Sequence, residues 1–480
     1  MRSVYDSTQV RAAEARLKEF TAPGELMQRA AYGLANECLN ELHSRRGGVY
    51  GARAALLVGP GGNGGDALYS GVWLLRRGIA VHALLVGVKS YPGAREAFVR
   101  AGGTVGAISD ADAATAVSRA DLVIDGIAGL GSSRSVELPD SVAEAIATTD
   151  ALVCAVDLPS GVNGDTGQAY DGAIHADMTA TFGAWKPAQV LAPARRLCGD
   201  VRFVDIGLGP HLTDPRIDVL DYADIAAIWP GPSYDSHKYS TGVVGVIAGS
   251  AQYPGAAVMC VGGAIRSKPG MVRYVGAPDA IERIVAAWPA AVGATSIDDA
   301  GRTNAWVIGP GMGTDDAARS VVRSSLSLDV PVIYDADALT ILSGDVDRLR
   351  ERQAPTVLTP HSGEFARLFG EVGDDPVESV KAATRRTGCV VLLKGPSTIV
   401  AAPGGRVLVN ETGSSKLATA GTGDVLSGII GAALAAGLPA QIAAAAGAYV
   451  HGALADQHDG PLIAPDLIDE LPAFMARLQA

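Results

Sequence analysis

Short apolar runs alternate with helical patterns along nearly the whole chain, and each run stops at a glycine or a small polar residue. ARAALLVGP (52–60) leads into GDALYSGVWLLRRG (65–78). AVHALLVG (80–87), ADLVIDGI (120–127), ALVCAVDLP (151–159) and DMTATFGA (177–184) continue the series. Runs this short, apolar on both alternating faces, predict parallel strands buried between helices. Strand–helix alternation of this kind constrains the chain to α/β layers with crossover connections.

The rhythm weakens after RFVDIGLGPHLTDP (202–215), through DYADIAAIWPGP (221–232), and resumes at GVVGVIAGS (242–250). AWVIGPG (305–311), PVIYDADA (331–338), PTVLTPH (355–361) and CVVLLKG (389–395) follow. At 480 residues one domain is too few. Two α/β domains, 1–215 and 216–480, are expected, with no internal repeat. SGIIGAALAAGLPAQIAAAAGAYVHGALA (427–455) is long and uncharged, but Pro439 divides it into two buried helices rather than a membrane span.

Charge and cysteines narrow the function. The 51 acidic residues outnumber the 39 basic ones, for a net charge of −12, the opposite of a general nucleic-acid binder. Anionic ligands must be met by local donors. Cys38, Cys154, Cys198, Cys260 and Cys389 form no CxxC pair, so reduced buried thiols are expected rather than a disulfide framework or zinc site. The N-terminus MRSVYDSTQVRAAEARLKEF has no apolar core of a signal peptide. A soluble cytoplasmic chain is the expectation.

In the second series, TAGTGDVLSGIIGAAL (419–434) is a glycine turn opening a helix, whose N–H groups favour an anion. Asp424 lies among those glycines, so the loop must receive one anion while the carboxylate does separate work. AWVIGPGMG (305–313), TPHSGE (359–364) and VVLLKGPST (390–398) each end an apolar run. NETGSSKLATAGTGD (410–424) reads as a hairpin-like polar run. Carboxyl edges of open α/β sheets are where ligands bind. The alternative for His361 is a strand-end backbone cap and for Lys394 a surface lysine, each the lesser reading, since Lys394 directly ends an apolar run.

Together with SHKYSTGVVGVIAGS (236–250) and YPGAAV (253–258), these segments resemble the ribokinase-like superfamily, and more closely its ADP-dependent NAD(P)H-hydrate dehydratases, over roughly residues 220–478. SKPGMVRYVG (267–276) departs from the family, being less apolar than its usual strand approach. The resemblance implies that Lys394, Gly395, Pro396, Ser397, Thr398 and Gly423 bind nucleotide. It implies that Ala257, Gly311, His361 and Asp424 contact the hydrate, with Asp424 accepting the proton of its C6 hydroxyl. ADP would be co-substrate, with Mg2+ for phosphoryl transfer, although no carboxylate cluster names its ligands.

In the first series, GPGGNGGDA (59–67) joins a strand to a helix. It lacks the acidic residue about 20 positions on of the dinucleotide fingerprint, and the GK[ST] of a P-loop. VIDGIAGLGSSR (123–134) and AVDLPSGVNGDTG (155–167) end two further strands. Asn63, Asp125 and Ser160 would meet at three adjacent strand ends, and such oxygen ligands with little net charge suit a monovalent cation. With STQVRAAEARLKE…LMQRAA (7–31) and TFGAWKPA (181–188), these motifs resemble the NAD(P)H-hydrate epimerases over roughly residues 5–212.

That resemblance implies a Rossmann-like α/β/α domain holding K+ on Asn63, Asp125 and Ser160. It places Gly62, Asn63, Gly64, Gly65 and Asp66, the run Gly129, Leu130, Gly131, Ser132, Ser133, Arg134 and Ser135, and Asp157 against the hydrate. Asp157 would be the acid/base that inverts C6. Gly62 stands where the family has a second asparagine, Ala67 where it has glycine, and Ile127–Gly129 where it has an LFG-type run. The chain is thus expected to be a bifunctional, homo-oligomeric repair enzyme with no nucleic-acid or membrane partner. A ribokinase-like hydroxyl kinase, or an N-terminal domain that only binds or assembles, would be the alternatives.

Overall fold

A computed structural model describes residues 1–132, 134–231, 234 and 241–479. Ser133 and most of GPSYDSHKYS (231–240), including the start of the 236–250 motif, lie outside the described residues. Contacts divide the chain into two compact units, Ser3–Arg216 and Met1–Arg2 with Ile217–Ala480.

The unit Ser3–Arg216 is built on seven parallel strands. Their order is Thr104–Ala107, Ala80–Leu85, Arg53–Val58, Leu122–Gly126, Leu152–Val156, Met178–Phe182, Asp200–Val204. The strand first in sequence therefore lies inside the sheet, with the chain winding outward on both sides. Its carboxyl end, beside that of Leu122–Gly126, is the switch point where a crevice opens. Period-two alternation supplies both layers. Ala54, Leu56 and Val58 join the core under the helices Glu25–Arg46 and Gly62–Arg76. Ala55 and Leu57 join the core with Ala113, Val117, Val142 and Ile146 of the opposite helices. The helix after the first glycine loop starts at Gly62, three residues before the expected GDALY, so the loop's NGGD becomes its first turn.

In the other unit the sheet runs Ile217–Val219, Val407–Asn410, Thr398–Ala401, Val390–Leu393, Thr356–Leu358, Val332–Tyr334, Ala305–Ile308, Val243–Ile247, Met271–Val275, Ala291–Ala294. Only Thr398–Ala401 runs against its neighbours. Met271–Val275, the stretch that departs from the family pattern, is a regular strand beside Val243–Ile247, its Val272 and Tyr274 buried. The Ala/Gly-rich segment forms the helices Thr422–Ala435 and Ala440–Gln457, parted at Pro439. A Cβ at Gly428 would sit 2.2 Å from the Cys260 carbonyl oxygen, so small residues are what let this helix touch the helix Pro254–Arg266. NETGSSKL is not a hairpin. After the strand Val407–Asn410 it becomes a loop with the single turn Ser415–Leu417, because Ser414 accepts the Lys416 N–H and starts a 3-10 turn. Among the described residues no helix is long and apolar enough to cross a membrane.

Candidate active sites

In the unit Ser3–Arg216 a cleft of about 910 Å³ opens at the switch point. Gly62, Asn63 and Asp66 line it from the first glycine loop, Gly129 to Ser132 and Arg134 from the second, and Asp157 and Lys186 from beneath. Gly64 and Gly65 are brought to the loop but not to its open side. A Cβ on Gly64 would lie 2.0 Å from the Gly59 carbonyl oxygen, so this glycine closes the strand–helix turn. Ser135 is exposed beyond the cleft.

Asp157 ends the strand Leu152–Val156 with φ +66, a left-handed conformation that costs free energy and is held by its partners. Its Oδ1 accepts the Phe182 N–H at 3.1 Å, the Thr181 hydroxyl at 3.3 Å and the Lys186 ammonium. Lys186 is 1% exposed and also donates to Thr181 Oγ1 at 2.9 Å and Phe182 O at 3.1 Å. Gln189 donates to the Asp157 carbonyl at 2.9 Å. This lysine was missed by sequence reasoning. Its signal was a lone lysine inside the otherwise uncharged TFGAWKPA. Asp66 has a buried oxygen without a hydrogen bond, and burial, with the charge of Asp157 behind it, holds its carboxyl well above the usual range.

The three expected cation ligands converge. Asp125 is fully buried, and accepts the Ser160 hydroxyl at 2.6 Å and the Ser160 N–H at 2.7 Å. Burial pushes it up to about 6 despite those bonds. Ser160 Oγ accepts the Ala128 N–H at 2.9 Å. The Asn63 amide donates to Ala128 O at 3.1 Å and to Val156 O. Carboxylate, hydroxyl, amide and two carbonyls make an all-oxygen donor set that fits a monovalent cation once the amide turns its oxygen inward.

In the other unit the carboxyl edge gathers Lys394, Asp335, Glu364 and Asp424. Lys394 Nζ donates to Asp335 Oδ1 at 2.8 Å and lies 3.7 Å from Glu364 Oε2. Burial alone would lower Lys394, but Asp335 and Glu364 outweigh it and hold it above its ordinary value. Asp424 sits in the first turn of Thr422–Ala435, behind Gly421 at φ +90. Burial first, then Asp335, raise it to about 7, with Lys394 opposing. A Cβ at Gly423 would be 3.7 Å from Lys394 Nζ, so loop and lysine face one space.

His361 caps the helix Ser362–Phe369: its Nδ1 accepts the Gly363 and Glu364 N–H groups at 3.0 and 3.3 Å. Nε2 of the half-exposed ring lies 3.5 Å from Glu364 Oε1. Ala257 lies in the first turns of Pro254–Arg266 and Gly311 in the loop against it, where a Cβ would meet Ala256 at 2.6 Å. Gly395 to Ser397 form the turn between Val390–Leu393 and the strand beginning at Thr398. Asp335 was not singled out by sequence reasoning, whereas Glu364 closes the TPHSGE segment at its strand end. Among the described residues no group of three or more His, Cys, Asp or Glu side chains is arranged to hold a metal.

Comparison with known proteins agrees with both halves. The NAD(P)H-hydrate dehydratase family model matches residues 244–470, and that of the YjeF-related protein N-terminus matches residues 23–188. The chain is 47% identical to the bifunctional NAD(P)H-hydrate repair enzyme Nnr of Mycobacterium leprae, over 96% of each chain. Its identity to the enzyme of the same name from Mycobacterium tuberculosis is 46%, over 93% of this chain and 92% of that one. A ribokinase-like superfamily protein of Enterococcus faecalis aligns in structure with 56% of this chain and 99% of its own, at 25% identity and a TM-score of 0.50.

Proposed function

This chain belongs to the bifunctional NAD(P)H-hydrate repair enzymes, and from that premise we infer how its two halves divide the chemistry. Hydration of the reduced nicotinamide ring places a hydroxyl on C6 in either configuration. Domain 1–215 interconverts the R and S hydrates, and domain 216–480 dehydrates the S form. The reading is supported most by one arrangement present in both units: an aspartate at a ligand-facing strand end or helix start, Asp157 and Asp424, with a lysine near it, Lys186 buried and Lys394 half-buried.

In the epimerase, Lys186 balances the charge of Asp157, so the carboxylate is held ready to take the C6 hydroxyl proton and pass it to N1 as the C6–N1 bond opens to an aldehyde, and to reverse the transfer as nitrogen recloses on the other face of C6. The N-terminus of Gly62–Arg76 and the cationic side chains of Arg11, Lys18 and Arg134 around the cleft suit the phosphates of the dinucleotide. Asn63, Asp125 and Ser160 would hold potassium, which supplies fixed positive charge beside the anionic substrate.

In the dehydratase, hydroxide is a poor leaving group and phosphate a good one. Asp424 accepts the proton of the C6 hydroxyl as its oxygen attacks the β-phosphorus of ADP and AMP departs. The ring nitrogen then expels phosphate from C6, and loss of a C5 proton restores the double bond. Lys394, the 395–398 turn and the Gly423 N–H meet the nucleotide. Magnesium would arrive on the phosphates of ADP, since that ion is commonly held through substrate phosphates and no carboxylate cage is found among the described residues.

The test is recovery of reduced-nicotinamide absorbance from mixed R and S hydrates with ADP. The intact chain should recover all of it, Asp157→Ala rapidly only the S fraction, and Asp424→Ala none. No recovery by the intact chain would return the hydroxyl-kinase alternative.

A further inference from the structure

Asp335 takes no part in the chemistry above, yet it is a buried carboxylate with a partner on each oxygen. It ends the strand Val332–Tyr334 and is 1% exposed. Each oxygen has a different partner: Oδ1 accepts from Lys394 Nζ and Oδ2 from Ser427 Oγ, both at 2.8 Å. Ser427 follows Asp424 by three residues, so both lie on one face of the helix Thr422–Ala435. One carboxylate thereby ties the nucleotide-side lysine to the helix that carries the proton acceptor.

The strand end holds a third segment as well. Asp337 Oδ2 accepts the Gly313 N–H at 2.8 Å, anchoring the loop that contains Gly311. Between the two aspartates, Ala336 is held at φ +49 and ψ −116, a strained conformation for a residue with a Cβ. Strain of this kind persists where surrounding contacts fix it, and here they are contacts to three ligand-facing segments.

We propose that Asp335 is a positioning residue of the dehydration site, setting the distance between Lys394 and the helix bearing Asp424. The proposal rests on the dehydratase reading of this unit. A buried carboxylate without paired donors is costly, so the arrangement specifies Lys394 and Ser427 together. The negative charge of Asp335 also acts on Asp424, together with Asp337 and against Lys394. Cys260, on the packed helix Pro254–Arg266, faces the same pair of carboxylates.

The experiment uses the intact chain with Asp335→Asn and Ser427→Ala. It measures ADP affinity by calorimetry, dehydration of the S hydrate across pH, and thermal unfolding. Asp335→Asn removes a charged partner from the Lys394 hydrogen bond and should weaken ADP binding about tenfold or more. It should also lower kcat and move the rising limb of the pH profile to lower pH. Ser427→Ala, which leaves the Lys394 pair intact, should lower kcat with ADP affinity unchanged. Wild-type ADP affinity and an unmoved pH limb in Asp335→Asn would overturn the proposal, as would wild-type kcat in Ser427→Ala. So would losses in step with the unfolded fraction. Should Asp335→Asn fail to fold, Ser427→Ala alone decides. If the wild-type chain yields no NADH from hydrate and ADP, the dehydratase reading falls instead, and the ADP affinities still decide whether Asp335 holds Lys394.

Discussion

Replacing Asp424 with asparagine should make the protein more stable and the dehydratase inactive, and the pH dependence of the gain gives its cause. In the fold Asp424 is raised from 3.8 to about 7, chiefly by burial and then by Asp335. A raised carboxyl means the folded state resists the charged form. Below pH ~4 both folded and unfolded chains carry the proton, and no penalty exists. From pH ~4 to ~7 the unfolded chain ionises while the folded one does not, so stability falls as pH rises. Above pH ~7 the full penalty applies, and a shift of this size corresponds to about 4 kcal/mol. Asparagine is neutral at every pH. Asp424→Asn should therefore gain about 2–4 kcal/mol at pH 8 and almost nothing at pH 4. The two units need not unfold together, so the transition should be followed locally. Hydrogen exchange of the helix Thr422–Ala435 against urea does this. Dehydration should fall by about 10²–10⁴ from the loss of a general base, with epimerisation intact. An equal gain at both pH values, or none at pH 8, would refute the assignment of burial and Asp335 as the cause.

Three further outcomes follow from the geometry. Lys186→Met strips Asp157 of its buried cation; it should cost the N-terminal unit about 3–5 kcal/mol in urea unfolding and abolish epimerisation while dehydration of pure S hydrate continues. Ser160→Ala should erase any thermal stabilisation by KCl over choline chloride at matched ionic strength, because the hydroxyl that joins Asp125 to the Ala128 N–H is gone. His361→Ala removes a cap worth about 1 kcal/mol in urea unfolding. His361→Asn should restore that stability and leave KM for the S hydrate raised, since only the cap is replaced.

The fold was legible where apolar periodicity is strong and local. Arg53–Val58 and Leu122–Gly126 stand out because both faces are buried, so every residue of the runs except Arg53 and Asp125 is apolar or small. Thr104–Ala107 and Ala291–Ala294 were not, being short edge strands with at most one residue buried. The sites divide in the same way. Asp157 and Asp424 could be found because each lies in a glycine-rich segment of recognisable spacing. Their partners could not. Lys186 reaches Asp157 across 29 residues, and Ser427 reaches Asp335 across 92, through sheet order that no local pattern encodes. Gly64 and Gly65 share the motif of Asn63 and Asp66, yet a helix turn directs successive residues to different sides, so only some of the motif meets the cleft.

The two units place a lysine in opposite ways, and the difference suits the chemistry proposed for each. Lys186 bonds the proposed acid/base carboxylate itself, so Asp157 is anchored with its charge balanced at one position. A group that shuttles one proton between the C6 oxygen and the ring nitrogen gains from being held still while the opened ring turns. Lys394 bonds Asp335 instead, leaving Asp424 without a direct hydrogen bond from the lysine and with a second carboxylate nearby. That placement makes Asp424 a stronger proton acceptor than an exposed aspartate, which a C6 hydroxyl of high pKa requires. It also keeps the ammonium facing the nucleotide side, where charge on the transferred phosphoryl group must be met. Moving Lys394 onto Asp424 would stabilise the carboxylate and weaken it as a base in the same step. The extra aspartate is therefore what lets one site hold a cation for phosphate and a base for hydroxyl within a few ångströms of each other.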